Sequence, residues 1–269
     1  MPVWLVWILI AGLVLICAFY GLIYLNQDKV IFQTKALSSE AEQRYQDDAV
    51  SFERADGTRL QGWFRRHPDA DAPLLIYYGG NAEEISWNLD PLKQLNASVL
   101  LINYRGYGQS GGKPSERALK DDALWLLDQI SQQHAIPLQR IVVMGRSLGS
   151  GIASHVATQR PVAAVVLTTP FDSFPALARA NYPRLPLAWL MTHRFESDQL
   201  APTITQPMLN LIAGQDRIVP PAHARRLASL WQGSVTTQEF PQAGHIDIAE
   251  QPDYWPSIKR FINELPSLN

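Results

Sequence analysis

Ser147 stands in "VVMGRSLGSG", Val142 to Gly151, between the apolar run "RIVVM" and a stretch of helical character from Leu148 to Thr158. A serine at the apex of a strand, turn and helix is the context of a G-x-S-x-G elbow, which holds the hydroxyl out where it can attack a carbonyl carbon. Gly145 and Gly149 leave room where side chains would collide with neighbouring chain as the turn closes. The same residues permit a plainer reading, a serine capping the helix that starts at Leu148. A serine hydroxyl is a poor nucleophile at neutral pH unless a base takes its proton, and histidine titrates near the working pH.

Other chemistries find little support. The six histidines, at 67, 134, 155, 193, 223 and 245, show no HExxH or His-x-His spacing, and the acidic residues form no calcium-loop pattern. The single cysteine, Cys17, lies inside an apolar N-terminal run, so the rest of the chain has neither a disulfide nor a thiolate cluster. No metal and no cofactor is expected. A formal net charge of −2 without a dense Lys/Arg block gives no electrostatic footprint for nucleic acid. With 46% hydrophobic and 18% charged residues in 269, the chain has the composition of a folded protein with a sizeable core.

The elements that must position Ser147 follow from the hydrophobic rhythm. Ala49–Arg54 and Leu60–Arg65 read as strands joined through "ADGT", whose Asp56-Gly57 is a hairpin signal. Short apolar runs then alternate with longer amphipathic ones: "PLLIYY" and Glu83–Leu95; "SVLLIN" and Ser115–Gln133; "RIVVM" and Leu148–Thr158. They are followed by "VAAVVLT", by "PMLNLIA" with Pro221–Trp231, by "SVTTQEF", and by a last helix near Asp253–Leu265. Such alternation predicts an α/β fold, a mostly parallel central sheet with helices on both faces and function in the loops leaving the strands' carboxyl ends. No internal repeat or second domain is visible.

Val3–Leu25, "VWLVWILIAGLVLICAFYGLIYL", contains no charge and at helical rise can cross a hydrocarbon core of ~30 Å. No Lys or Arg precedes it and its end is bulky, unlike a cleaved signal peptide, and it lacks the polar face of a core helix. The expected organisation is an anchor and flank over residues 1–28, a connector over 29–48, and a catalytic domain over 49–269. Lys29, Lys35 and Arg44 follow the span, which favours a cytoplasmic domain, while Asp28, Glu40 and Glu42 are interspersed among them.

Five stretches together resemble the α/β-hydrolase family: "YYGGNAEE", "NYRGYGQSGG", "MGRSLGSG", "AGQDRIVP" and "AGHID", in the family's order from about Leu74 onward. The resemblance implies Ser147 as nucleophile, Asp216 as acid and His245 as base, with the acid holding the imidazole in its productive tautomer. His245 also admits the reading of a buried, hydrogen-bonded histidine, and its place on a loop after "SVTTQEF" favours catalysis. Asp172 in "TTPFDSF" competes with Asp216, because some family members supply the acid from that strand end; the branch with G-x-D-x-x-V-P uses the later position. Backbone donors for the oxyanion are expected at Leu148 and in "GGNAEE", at Asn81 with Gly80 as neighbour. Many relatives place a histidine where Gly79 stands, so a side chain that often braces this loop is absent. Tyr104, Arg105, Gly106 and Gly108 carry a family hallmark whose usual role is structural, the arginine bonding the winding loop.

Where many relatives insert a full cap domain, residues 171–206 form a short lid of one or two helices. It carries Phe174, Leu177, Tyr182, Leu185, Leu187, Trp189, Leu190 and Met191, which either wall an acyl pocket or pack on the sheet. The chain is most similar to small, minimally capped members, among them membrane-associated esterases and protein depalmitoylases, with prolyl oligopeptidase-type peptidases more distant. The expected activity is hydrolysis of an ester or thioester of a hydrophobic, lipid-like acyl group through an acyl-enzyme. The alternatives are a peptidase or amidase using the same residues, and a hydrolase-like binding protein without catalysis.

Overall fold

Buried on both faces, parallel strands need unbroken apolar sequence, and the short runs supply it. The computed structural model describes residues 1–265. In it the runs become β1 (Ala49–Glu53), β2 (Arg59–Arg65), β3 (Leu74–Tyr78), β4 (Ser98–Ile102), β5 (Ile141–Arg146), β6 (Ala164–Thr168), β7 (Met208–Ala213) and β8 (Val235–Phe240). They form one sheet in the order β1-β2-β4-β3-β5-β6-β7-β8. The pairings β1–β2 and β2–β4 are antiparallel, and all others are parallel.

Period-two alternation sends Leu74, Ile76 and Tyr78 into one core and Leu75 and Tyr77 into the other. The first core is closed by α4 (Glu116–His134), α5 (Leu148–Gln159) and α9 (Pro221–Leu230). On the opposite face lie α2 (Ser39–Arg44), α3 (Leu89–Leu92) and α10 (Tyr254–Asn263). Strand order reverses beside β3: the chain leaves it toward β4 on one side and returns to β5 on the other. The loops after β3 and β5 therefore face each other at the switch point where such sheets bind ligands.

Two elements differ from expectation. Glu83–Leu95 is no continuous helix but a 3₁₀ turn, Ile85–Asn88, followed by α3. Pro91 offers no amide hydrogen to a longer ladder, and Glu84 turns to cap the connector, its Oε1 accepting from the N–H and the hydroxyl of Ser38 at 2.9 and 2.7 Å. The lid contains three short helices rather than one or two: α6 (Phe174–Asn181), α7 (Leu187–Leu190) and α8 (Ser197–Leu200).

The N-terminal run forms α1 (Val3–Ile31), with no buried residue and a length of about 44 Å at 1.5 Å per residue. It is long and apolar enough to cross a membrane. The helix continues six residues past Leu25 through "NQDKVI", because its end docks on the lid. Gln27 Oε1 accepts from the Thr192 N–H at 2.8 Å, Asp28 pairs with His193 Nε2 at 2.8 Å, and the Phe32 ring, 4% exposed, enters the first core.

Candidate active site

At the end of β5 the chain reverses within one residue. Ser147 has φ 48° and ψ −113°, a strained conformation for a residue with a Cβ, and its N–H donates to the Thr168 carbonyl of β6 at 3.0 Å. The glycines on either side are obligatory. A Cβ at Gly145 would lie 2.2 Å from the Gly149 carbonyl oxygen, and one at Gly149 would lie 2.0 Å from that of Tyr78. Close packing of β5, α5 and β3 thus forces the turn that raises Ser147 above the sheet edge.

Three distant loops converge there. His245 Nε2 lies 3.0 Å from Ser147 Oγ, and its Nδ1 lies 2.6 Å from Asp216 Oδ2. The other Asp216 oxygen accepts from the Ile218 and Val219 N–H groups at 2.9 and 2.8 Å, which fixes the carboxylate after β7. Asp172 is elsewhere: its Oδ1 faces His223 Nδ1 at 2.7 Å and accepts from the Ser173 N–H at 2.7 Å. Burial pushes the Asp172 carboxyl up, but the His223 hydrogen bond, the Ser173 N–H and the charges of His223 and Arg226 together bring it below the usual range.

Leu148 opens α5, so its N–H has no partner within the helix, and it lines the same cavity as Ser147 and Asn81. Gly80, the other expected donor, is committed: its N–H donates to Glu83 Oε2 at 2.5 Å. The Asn81 side chain is also committed, accepting from the Gln33 N–H at 2.8 Å and the Tyr107 hydroxyl at 2.9 Å. The Gln33 carbonyl in turn accepts from Ala82 at 3.0 Å, so the connector pairs with this loop much as a strand would.

The brace that Gly79 lacks is supplied from other positions. Tyr104 donates to the Gly79 carbonyl at 2.9 Å. Glu83 accepts from Tyr77 and Asn88, each at 2.8 Å, and pairs with Arg146 Nη1 at 3.3 Å. Arg146 Nη2 then donates to the carbonyls of His245 and Ile246 at 3.1 and 3.0 Å. One partly buried Glu–Arg pair thereby joins the loop after β3, the elbow and the histidine loop. Burial and the nearby Glu83 hold the Tyr77 phenol well above its ordinary range, so it remains a donor. Arg105, expected to bond its own loop, instead grips Asp122 of α4 at 2.6 and 2.9 Å and Asp56 of the hairpin at 2.8 Å, because the positive-φ glycines Gly106 and Gly108 already shape that loop.

A cavity of about 240 Å³ adjoins Ser147. Of the eight lid side chains considered for an apolar wall, Phe174, Leu177, Tyr182 and Met191 line it, joined by Phe171, Ile218 and Val219. Leu185, Leu187, Trp189 and Leu190 do not, and Trp189 is 89% exposed. Val30 and Ile31, from the last turn of α1, also line it. A larger space of about 460 Å³ lies between the connector and β1–β2, and none of Ser147, Asp216 or His245 borders it. Among the described residues no three His, Cys, Asp or Glu side chains are grouped to hold a metal ion.

Residues 72–188 match the family model described as the alpha/beta hydrolase fold. An uncharacterized protein of Mycobacterium tuberculosis is 34% identical over 221 residues, spanning 80% of this chain and 79% of that protein. An uncharacterized membrane protein of Saccharomyces cerevisiae is 31% identical over 218 residues, spanning 78% of this chain and 77% of that protein. Among solved structures, Est1E from Butyrivibrio proteoclasticus, described with ferulic acid bound, superposes with a TM-score of 0.66 at 17% identity, covering 80% of this chain and 98% of Est1E. The chain belongs to the α/β-hydrolase family.

Proposed function

We propose that this protein is a membrane-anchored serine hydrolase that cleaves carboxylic esters or thioesters of a hydrophobic acyl group. The observation that carries the proposal is the unbroken line from Asp216 Oδ2 through His245 to Ser147 Oγ, at 2.6 and 3.0 Å. His245 Nδ1–H donates to Asp216, which leaves Nε2 to accept the serine proton. As Ser147 Oγ bonds to the acyl carbon, its proton passes to Nε2 and the carbonyl oxygen becomes an oxyanion facing the N–H groups of Leu148 and Asn81. Collapse expels the alcohol or thiol with the proton from His245. Water, deprotonated by the same histidine, then releases the acid and restores Ser147. Loss of one oxyanion donor typically costs about 10²–10³-fold in turnover, which is why the bracing of the Asn81 loop matters.

The apolar lining of the cavity supports an acyl chain over a polar peptide. The uncharged stretch of α1 supports anchoring, and Lys29, Lys35 and Arg44 after it support a cytoplasmic catalytic domain. Cleavage of that domain by external protease in intact cells would overturn the cytoplasmic assignment. A fluorophosphonate probe tests the chemistry: labelling is expected in the wild type and absent in Ser147→Ala. An unlabelled wild type, or undiminished labelling of the variant, would sink the hydrolase reading. p-Nitrophenyl esters of increasing chain length are expected to turn over in preference to an aminoacyl amide, and the reverse order would assign a peptidase.

A further inference from the structure

The wall of the cavity beside Ser147 is not made by the catalytic domain alone. Val30 and Ile31 belong to α1, and their position is fixed by the Gln27–Thr192 and Asp28–His193 contacts and by the buried Phe32 ring, packed edge-on against His193 and Phe195. Val30 follows the last residue of the apolar run, Leu25, by five positions, or about 8 Å of helix axis. A headgroup layer is ~5–8 Å deep on each side of the hydrocarbon. The pocket wall therefore comes at the depth where headgroups meet water.

The lid surface beside this point is unusual for a face meant for water. Tyr182 is 55%, Leu185 37% and Trp189 89% exposed, and Ile218, from the loop after β7, is 51% exposed. Trp189 stands three residues before Thr192, which bonds α1. Arg179, Arg184 and Arg217 are exposed beside the cavity-lining Ala178, Tyr182 and Ile218, and make no ion pair among the described residues. Amphipathic rings, aliphatic side chains and unpaired arginines together match the boundary of a bilayer containing anionic lipid.

We infer that the lid face of Tyr182, Leu185 and Trp189 lies on the bilayer surface, so that the pocket opens there and takes its acyl chain from the membrane. The substrate class is then a membrane-embedded acyl ester or thioester, not one dissolved in water. For its chemistry this rests on the serine-hydrolase reading above; the docking itself does not.

The test uses the full-length protein in vesicles of neutral and anionic phospholipid. Brominated acyl chains quench indoles they touch, so wild type is expected to lose a larger fraction of its fluorescence than Trp189→Phe. Equal fractional quenching overturns the docking. In parallel, Trp189→Glu and Leu185→Glu are expected to lower hydrolysis of a long-chain ester lodged in the bilayer by about tenfold, while kcat/KM for soluble p-nitrophenyl butyrate stays within about twofold. Equal loss on both substrates, or loss on neither, overturns the proposal. So does a dimer that Trp189→Glu dissolves, which would give the face to a second copy. If p-nitrophenyl butyrate is not hydrolysed at all, the hydrolase reading fails, and the quenching still decides the docking.

Discussion

Ser147, His245 and Asp216 are brought into line by neighbouring groups, the Ile218 and Val219 N–H groups on the Asp216 carboxylate and Arg146 on the His245 carbonyl. Asp216→Asn is expected to lower kcat by about 10⁴-fold with little change in fold, since the imidazole loses its orienting anion. Asp172→Asn weakens the buried contacts to His223 and Ser173, and is expected to cost about 1–3 kcal/mol of stability while kcat per folded molecule falls less than about tenfold. Steady-state kinetics with thermal denaturation of both variants decides between the two carboxylates, and the opposite pattern would make Asp172 the acid. Glu83 accepts from the Gly80 N–H and pairs with Arg146, which donates to the His245 carbonyl. Glu83→Gln is expected to reduce kcat by about 10–100-fold with KM nearly unchanged, and a fall in melting temperature with normal kcat would make its role purely structural. Ser147, Asp216 and His245 were legible because each stands in a short motif and the motifs come in order. Glu83 and Arg146 were not, because their partners lie 63 and 99 positions away, and one sequence carries no signal of pairing at that distance. The only local sign was a charged residue beside each motif, in "NAEE" and "GRSLG".

Among the elements, β3 to β7 were read nearly residue for residue because buried parallel strands leave an apolar run of their own length. The segment Glu83–Leu95 misled because its apolar spacing suits a helix, whereas Pro91 and two committed carboxylates divide it. The end of α1 misled in the other direction. Residues 26–28 read as a flank and 29–31 as the start of the connector, yet "NQDKVI" continues the helix and carries the contacts that join it to lid and cavity. Two truncations separate these roles. Removing residues 1–25 keeps Val30 through Gln33 and is expected to leave turnover of a soluble ester within about threefold. Removing residues 1–35 also takes the Gln33 bonds that hold the Asn81 loop, and is expected to cut kcat by about 10–100-fold. Equal activity in the two would show that the connector does not hold the loop.

For the molecule as a whole, the parallel run of β5, β6, β7 and β8 puts their carboxyl ends on one side of the sheet, which explains why three loops separated by up to 98 positions meet there. A helix long and apolar enough to cross a membrane ends against the cavity, which its Val30 and Ile31 line, so helix and candidate site form one unit. Everything proposed for this unit depends on Ser147 carrying an acyl group during turnover. Acid quenching of full-length protein during hydrolysis of a p-nitrophenyl ester, followed by peptide mass analysis, measures this directly. An increment equal to the acyl group on the peptide containing Ser147, absent from Ser147→Ala, is the result expected. An active enzyme that carries the acyl group on another residue, or carries none under conditions where release of the acid limits the rate, would contradict the account.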